Sequence, residues 1–363
     1  MSRRLLAPAE TINGLTVGSL HSDRSTPLEV ANRFDLFTAE GLSPISRVGH
    51  GFRRAIKPDI LMSGGRVLHR ERFGPDPAQT VLEAITAAAA PGHRVAVPPM
   101  PGQVPNATAY CRGTSNAAAL ASRAAAQAYE IVEILRQQSA QALPTDRDAV
   151  LLKALIAHGA SWGALADTLL ARRPELTEHV QKKDFVVRWL GYGPVDVGRA
   201  LECAAERATL IGTGEVGVDK AQVFSVPLPP SLAGKLEWRR LTITLAWLSP
   251  VNPLHRTYRR AKLWLTPPHD ELLVKRVNSV YDKAAQRGTL QHEILEGESA
   301  VAFVDGARFE CKVNCAADAG ELSERIPFAL CVTLEVAPGV NVPIYEEIRT
   351  RIVPPIQIQP NAG

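Results

Sequence analysis

The chain has 363 residues, room for two domains of ordinary size, and its 45% apolar and 21% charged content excludes bulk disorder. A net charge of +4 does not by itself call for nucleic acid or a membrane surface as partner. The five cysteines (Cys111, Cys203, Cys311, Cys315, Cys331) are odd in number and unevenly spaced, which argues against a disulfide framework, and Cys311-x3-Cys315 lacks the second pair that a metal site needs.

Residues 1–8 carry positive charge but only a two-leucine apolar run, too short for a signal-peptide core. No segment reaches the ~18 uninterrupted apolar residues of a membrane span. With free thiols and no export signal, a cytoplasmic protein is expected. Residues 15–20 read as a short buried strand, 27–56 as mixed loop, and 60–62, ahead of Gly64-Gly65, as a second buried strand. Residues 66–106 are rich in Pro, Gly and Ala; 80–90 suggests a short helix and 94–97 a strand.

A long helix follows Ser115, with Leu120, Ala124, Ala128, Ile131 and Leu135 at helical spacing and alanines through its first turns. Thr145 caps the next helix, with Leu151, Ala154, Leu155 and His158 on its apolar side. A third helix runs from about Gly163 to Pro174, and Asp196 opens a fourth through Ala200 and Leu201. Near residue 222 the pattern turns strand-like. Leu241, Ile243, Leu245 and Trp247 alternate with Thr242, Thr244 and Ala246, as in a half-buried strand. Runs at 263–265, 300–304, 309–313 and 328–334 continue the series, as in an antiparallel sandwich or jelly roll. The tail from Pro354 is expected to be extended and loosely held. The expected division is 1–222, 223–353 and a tail, 354–363.

Ser115 is the leading candidate for chemistry. A serine needs a base to take its proton and donors to hold an oxyanion, and the free N–H groups at a helix start supply one donor. Gly113 lets the backbone approach a substrate closely. The simpler role for Ser115 is that of an N-cap. His158 reads as a satisfied core histidine, His93 and His292 as surface or loop residues, and Asp59 as a structural carboxylate in a turn. Arg239, Arg240, Arg256, Arg259, Arg260 and Lys262 form the densest basic group and read as a solvated face. Gly212-Thr213-Gly214 lacks the ending of a phosphate-binding loop and Gly191-Tyr192-Gly193 the third glycine of a dinucleotide fingerprint, so no nucleotide, flavin or metal cofactor is expected.

Several segments, in order, resemble those of subtilisin-like serine peptidases. Gly113-Thr114-Ser115-x-Ala117-Ala118 is similar to the nucleophile motif, with Asn116 where the family often has Met and Ala119 where it often has Pro. Thr16-Val17-Gly18, Lys57-Pro58-Asp59-Ile60 with Gly64, the helix at 152–160, and Gly191-Tyr192-Gly193-x-Val195-Asp196 resemble the segments around it, with a long insertion between Gly65 and Ser115. The resemblance covers about residues 11–205. Residues 242–247 are similar to the strand that opens the β-domain following some subtilase domains.

The resemblance implies an α/β domain with a mainly parallel sheet and helices on both faces, followed by an antiparallel β-sandwich. It also implies endopeptidase activity on peptides or proteins through Ser115, with Gly113 and Thr114 in the substrate and oxyanion surroundings. The family's catalytic aspartate, histidine and oxyanion asparagine would lie before this chain's first residues. His50-Gly51-Phe52, the nearest lookalike of the histidine motif, sits where the family has a loop. An incomplete domain is therefore expected, with base and acid from a missing N-terminal peptidase portion and an uncovered strand edge in the sheet. Gly64-Gly65-Arg66 and the helix at 116–123 also resemble cytoplasmic bacterial subtilases, some of which pair with an AAA-type ATPase in anti-phage defence, which implies such a partner. The alternatives are a non-catalytic protein-interaction module and, ranked last, a basic nucleic-acid-binding β-domain.

Overall fold

The short apolar runs at the start of the chain are strands, and they pair with each other. In the computed structural model, β1 (Val17–His21) lies parallel to β3 (Ile60–Ser63), with Val17 opposite Ile60 and Leu20 opposite Ser63. β2 (Gly41–Leu42) joins β1 antiparallel, giving the order β2-β1-β3. The described residues are 3–26, 32–37, 41–73, 80–85, 89–99, 101–102, 104–138, 143–266, 275–276, 286–297, 303–340, 342–352 and 356–358. The edge of β1 beyond β2 is capped by a turn: Ser43 N–H donates to Ser19 O at 3.1 Å, and Ser19 N–H donates to Ser46 Oγ at 3.1 Å.

The Pro/Gly/Ala-rich insertion forms two hairpins. β4 (His69–Phe73) pairs with β5 (Thr80–Ala84), and β6 (His93–Ala96) with β7 (Thr108–Cys111). The helix expected over 80–90 is thus a strand at its start, while 86–88 lie outside the described residues. Thr80-Val81, β-branched and set opposite Phe73 and Arg72, favour the pleated ladder over the helix that the later alanines suggest.

β7 leads directly into α1 (Thr114–Gln138), which packs on β1, β3 and α2 (Asp148–His158). The buried stripe of α1 is Ala117, Ala121, Ala124, Ala128, Val132 and Leu135, while Leu120 and Ile131 flank it half-buried. Small side chains on this stripe allow close approach. α2 is buried on every side from residue 153 to 158 and along Val150 and Leu151. A helix with no solvent face must be covered all round. α3 (Ala164–Ala171) and α4 (His179–Leu190) pack together, and α5 (Val197–Leu201) starts at Asp196, whose side chain accepts from Arg199 N–H as expected of a cap.

The rest of the described chain is two antiparallel sheets. β8 (Arg207–Val216), β9 (Ala221–Pro227), β10 (Arg239–Trp247), β11 (Ala261–Thr266), β12 (Lys275–Arg276), β13 (Leu290–Gly297), β14 (Arg308–Ala317), β15 (Ile326–Val336) and β16 (Ile356–Ile358) form one sheet of order β12-β13-β10-β15-β8-β16 and one of order β11-β14-β9. A short helix, α6 (Ile344–Arg349), precedes β16. Phe224, Ile243, Trp247, Leu263, Phe309 and Phe328 join side chains of both sheets into one buried cluster. β8 lies upstream of residue 222, yet it pairs with β15 along its whole length, so the second sheet begins near 207. Of the strand expected at 300–304, residues 300–302 lie outside the described residues, and Phe303 and Val304 are not in a strand. The expected loose tail is held at Ile356–Ile358, which pairs with β8 and buries Ile356. The architecture is mixed α/β, with helices and several antiparallel sheets.

β10 departs from its half-buried expectation. Its Leu241/Ile243/Leu245/Trp247 face joins the core between the sheets, and its Thr242/Thr244/Ala246 face is buried as well. α2 covers that second face, packing on β10 and β15, and Ile211, Ala246, Leu290, Ala329 and Cys331 belong to the same apolar cluster as α1 and α2.

Candidate active site

Ser115 is the second residue of α1, exposed, and its hydroxyl makes no hydrogen bond to a described residue, so it is not an N-cap. The helix start is set by the glycine before it. Gly113 N–H donates to Gly64 O at 2.8 Å, Gly113 O accepts from Asn116 N–H at 3.1 Å, and Gly64 N–H donates to Leu20 O at 3.1 Å. These bonds seat the first turn of α1 on the carboxyl ends of β1 and β3. Asn116 Nδ2 adds donations to Cys111 O at 3.1 Å and Gly64 O at 3.4 Å. A Cβ on Gly64 would lie 1.8 Å from Ser19 Oγ and 3.1 Å from Gly113 O, so only glycine fits there. The N–H groups of Thr114 and Ser115 bond to no described residue and are open to a ligand oxygen.

Histidines and acids gather near these strand ends but are engaged elsewhere. His21 Nε2 lies 2.6 Å from Asp35 Oδ1, while its Nδ1 accepts from Val67 N–H at 3.3 Å, so both ring nitrogens are used. Burial works to raise the Asp23 carboxyl, but hydrogen bonds from Ser25 and Arg66 hold it below the usual carboxylate range. His93 is not a loop residue: it lies in β6, opposite Cys111, with Nε2 3.1 Å from Ser63 Oγ and 3.2 Å from Ser63 O. Among the described residues no imidazole or carboxylate hydrogen-bonds Ser115 Oγ. His50 Nε2 instead meets Asp184 Oδ1 at 3.0 Å, and burial pushes its imidazole below the ordinary value.

The other candidates sit beneath the helices. Asp59 is structural, as expected: its Oδ2 takes Lys57 Nζ at 2.5 Å and Thr16 N–H at 2.7 Å. Nearby, the buried Lys153 ammonium donates to Thr289 Oγ1 at 2.6 Å and Asn13 O at 3.1 Å, and burial pushes it down to about 7. His158 is a satisfied core histidine, also as expected. His292 overturns its surface assignment: it is fully buried on β13, and both ring nitrogens are bonded.

These two histidines form a chain whose proton directions follow from valence. Ala160 O only accepts, so His292 Nε2 (2.9 Å away) carries the proton and Nδ1 accepts from the Thr244 hydroxyl at 2.7 Å. Thr244 has then spent its proton and accepts from His158 Nδ1 at 2.7 Å. His158 Nε2 must accept from Thr333 at 2.6 Å, and Thr333 from Thr209 at 2.6 Å. Both imidazoles are neutral in this arrangement. Burial pushes His292 down to about 4 and His158 well below its ordinary value. The sequence signal for this chain was the second face of β10: a solvated face would carry charges, whereas Thr and Ala there mark a covered one.

Three of the six residues of the basic group pair with carboxylates. Arg259 is buried against Asp318, and Arg240 and Arg260 pair with Glu296 and Glu324. Burial pushes Arg259 below its ordinary value, with Asp318 opposing. Among the described residues, no group of three or more His, Cys, Asp or Glu is placed to hold a metal ion. No helix among them is long and apolar enough to cross a membrane.

The molecule is thus a mixed α/β protein that displays a serine in the first turn of a long helix seated on strand ends. Residues 2–193 match the subtilase family, peptidase S8, over more than half of the chain, and the protein belongs to that family of serine hydrolases. No curated protein matches the chain. Among solved structures, a chain of the cyanophage Pam1 capsid asymmetric unit is similar over 36% of this chain and 85% of its own, at 13% identity and a TM-score of 0.21. So low a score carries no conclusion about fold or function.

Proposed function

We propose that the protein is a serine endopeptidase of the subtilisin type, acting by acyl transfer to Ser115. The exposed Ser115, unpartnered and flanked by open N–H groups inside the family-matched segment, carries this reading. Ser115 N–H would donate to the oxyanion, and Gly113 would let substrate backbone approach. The substrate would be a peptide or protein bound in extended form. In this reading the base, orienting acid and second oxyanion donor come from a complementary peptidase portion, in the same polypeptide or another. We also infer a peptidase part with a parallel sheet that ends before β8, and a β-sandwich that starts there; the pairing of β8 with β15 supports the division. Cytoplasmic location and an AAA-type ATPase partner belong to the same proposal and rest on resemblance.

A fluorophosphonate probe tests the chemistry. Residues 1–363 alone should remain unlabelled, and adding the complementary portion should give labelling that Ser115→Ala abolishes. Labelling of residues 1–363 alone would mean that a base within the chain reaches Ser115. The lack of a base on Ser115 among the described residues favours one second reading, a non-catalytic interaction module. Biological activity that survives Ser115→Ala would select it.

A further inference from the structure

A cleft of about 1000 Å³ opens between the β2–β1 edge and the helices α3 and α4, bounded in part by Ser161, Trp162 and Gly163. Its floor is apolar, formed by Leu42, Leu165, Leu169, Phe185 and Trp189, all half-buried. Its ionisable lining is one-sided: Arg3, Arg172, Arg173, Arg199 and Arg240 against Asp196 alone. Three of these arginines are balanced, Arg199 by Glu335, Arg240 by Glu296 and Arg173 by Glu175. Arg3 and Arg172 have no carboxylate partner among the described residues. Arg3 hydrogen-bonds only backbone carbonyls of the 43–46 turn, and burial together with the Arg47 cation pushes it below its ordinary value. Arg172 is exposed on the rim, with no side-chain hydrogen bond to a described residue.

We propose that this cleft is the docking groove for an amphipathic, acidic polypeptide segment. Its apolar side chains would seat on Leu42, Leu165 and Leu169, and its carboxylates would face Arg3 and Arg172. Charge complementarity selects the acidic partner, since two cations beside an apolar floor lack counter-charges. The apolar floor suits a helix laid in a groove. A single-stranded nucleic acid fits less well, because it needs open aromatic faces for its bases. Here Arg3 already stacks on Trp189 at 5.6 Å and Arg173 on Phe185 at 5.0 Å.

The test is selection of a displayed library of random peptides on the full chain, with Arg172→Glu and Thr168→Trp variants as probes. Thr168 lines the cleft from α3 and is exposed, so the indole fills the groove without entering the core. Enriched peptides should carry net negative charge and apolar residues at helical spacing. Their affinity should fall about tenfold with Arg172→Glu, vanish with Thr168→Trp, and weaken with salt, while both variants keep the wild-type melting temperature. Enrichment of neutral or basic peptides, or none, overturns the proposal. So does binding that is unchanged by Arg172→Glu, or tighter binding of a fluorescein-labelled oligothymidine to the same groove.

Discussion

At Ser115 and Gly64, two neighbouring positions, substitution should have opposite consequences. Ser115 is exposed and bonds nothing described, so Ser115→Ala should leave unfolding free energy within about 0.5 kcal/mol of wild type in urea titration. Gly64→Ala forces a methyl group against Ser19 Oγ and towards Gly113 O. Overpacking of this kind costs about 1–3 kcal/mol, and here it also pushes on the backbone that positions Ser115. Removing the obstructing side chain should reverse part of the loss. Ser19→Gly combined with Gly64→Ala should be more stable than the two single effects summed, and strict additivity in this double-mutant cycle would contradict the contact. Gly113-Thr114-Ser115 was legible as a motif from residue types alone. Its seat was not, because Gly64 and Ser19 are brought to it by the parallel pairing of β1 with β3, which no local pattern encodes.

Among the elements, α2 and β10 carry the most consequence. Thr244 on β10 serves both buried histidines, accepting from His158 and donating to His292. Thr244→Val keeps the shape but leaves one ring N–H and one ring acceptor unpaired in the interior. Each orphaned group costs about 1–3 kcal/mol, so a loss of about 2–6 kcal/mol is expected in urea titration, whereas Thr168→Val on exposed α3 should change stability by less than about 0.5 kcal/mol. Strands whose side chains alternate cleanly, such as β10 and β15, could be read directly. So could α5, whose Asp196 cap is a local signal. β13 could not, because Gln291, His292 and Glu293 look like a polar surface segment until a second covered face accounts for them. α4 is hidden by Gln181, Lys182, Lys183 and Asp184, which dilute its apolar period. β16 escapes a local reading because Pro354-Pro355 suggests a loose tail, while pairing to β8 depends on a partner more than a hundred residues away.

Across the whole molecule, α2 lies between the helical part and the larger sheet, and the hydrogen-bond chain from Thr209 to Ala160 passes through it. Neutral histidines are built into that joint. Burial pushes the folded-state values of His158 and His292 below the ordinary 6.5, so below pH 6.5 the unfolded chain binds protons that the folded chain refuses. Stability attributable to these groups is therefore fully present above about 6.5 and falls as pH drops towards 4, by up to about 1.4 kcal/mol per pH unit for each ring. His292, held down to about 4, accounts for about 3 kcal/mol of this loss on its own. Urea titrations between pH 7 and pH 4 should show the slope, and His292→Gln should flatten it while lowering stability at pH 7; an unchanged slope would assign the acid sensitivity to other groups. Because the joint is shared, its failure should not be local. Trp162 and Trp189 report on the helical part, Trp247 and Trp264 on the sheets. Single-tryptophan variants should therefore give coincident urea transitions at pH 7, and separate transitions would show that α2 fails to couple the two parts.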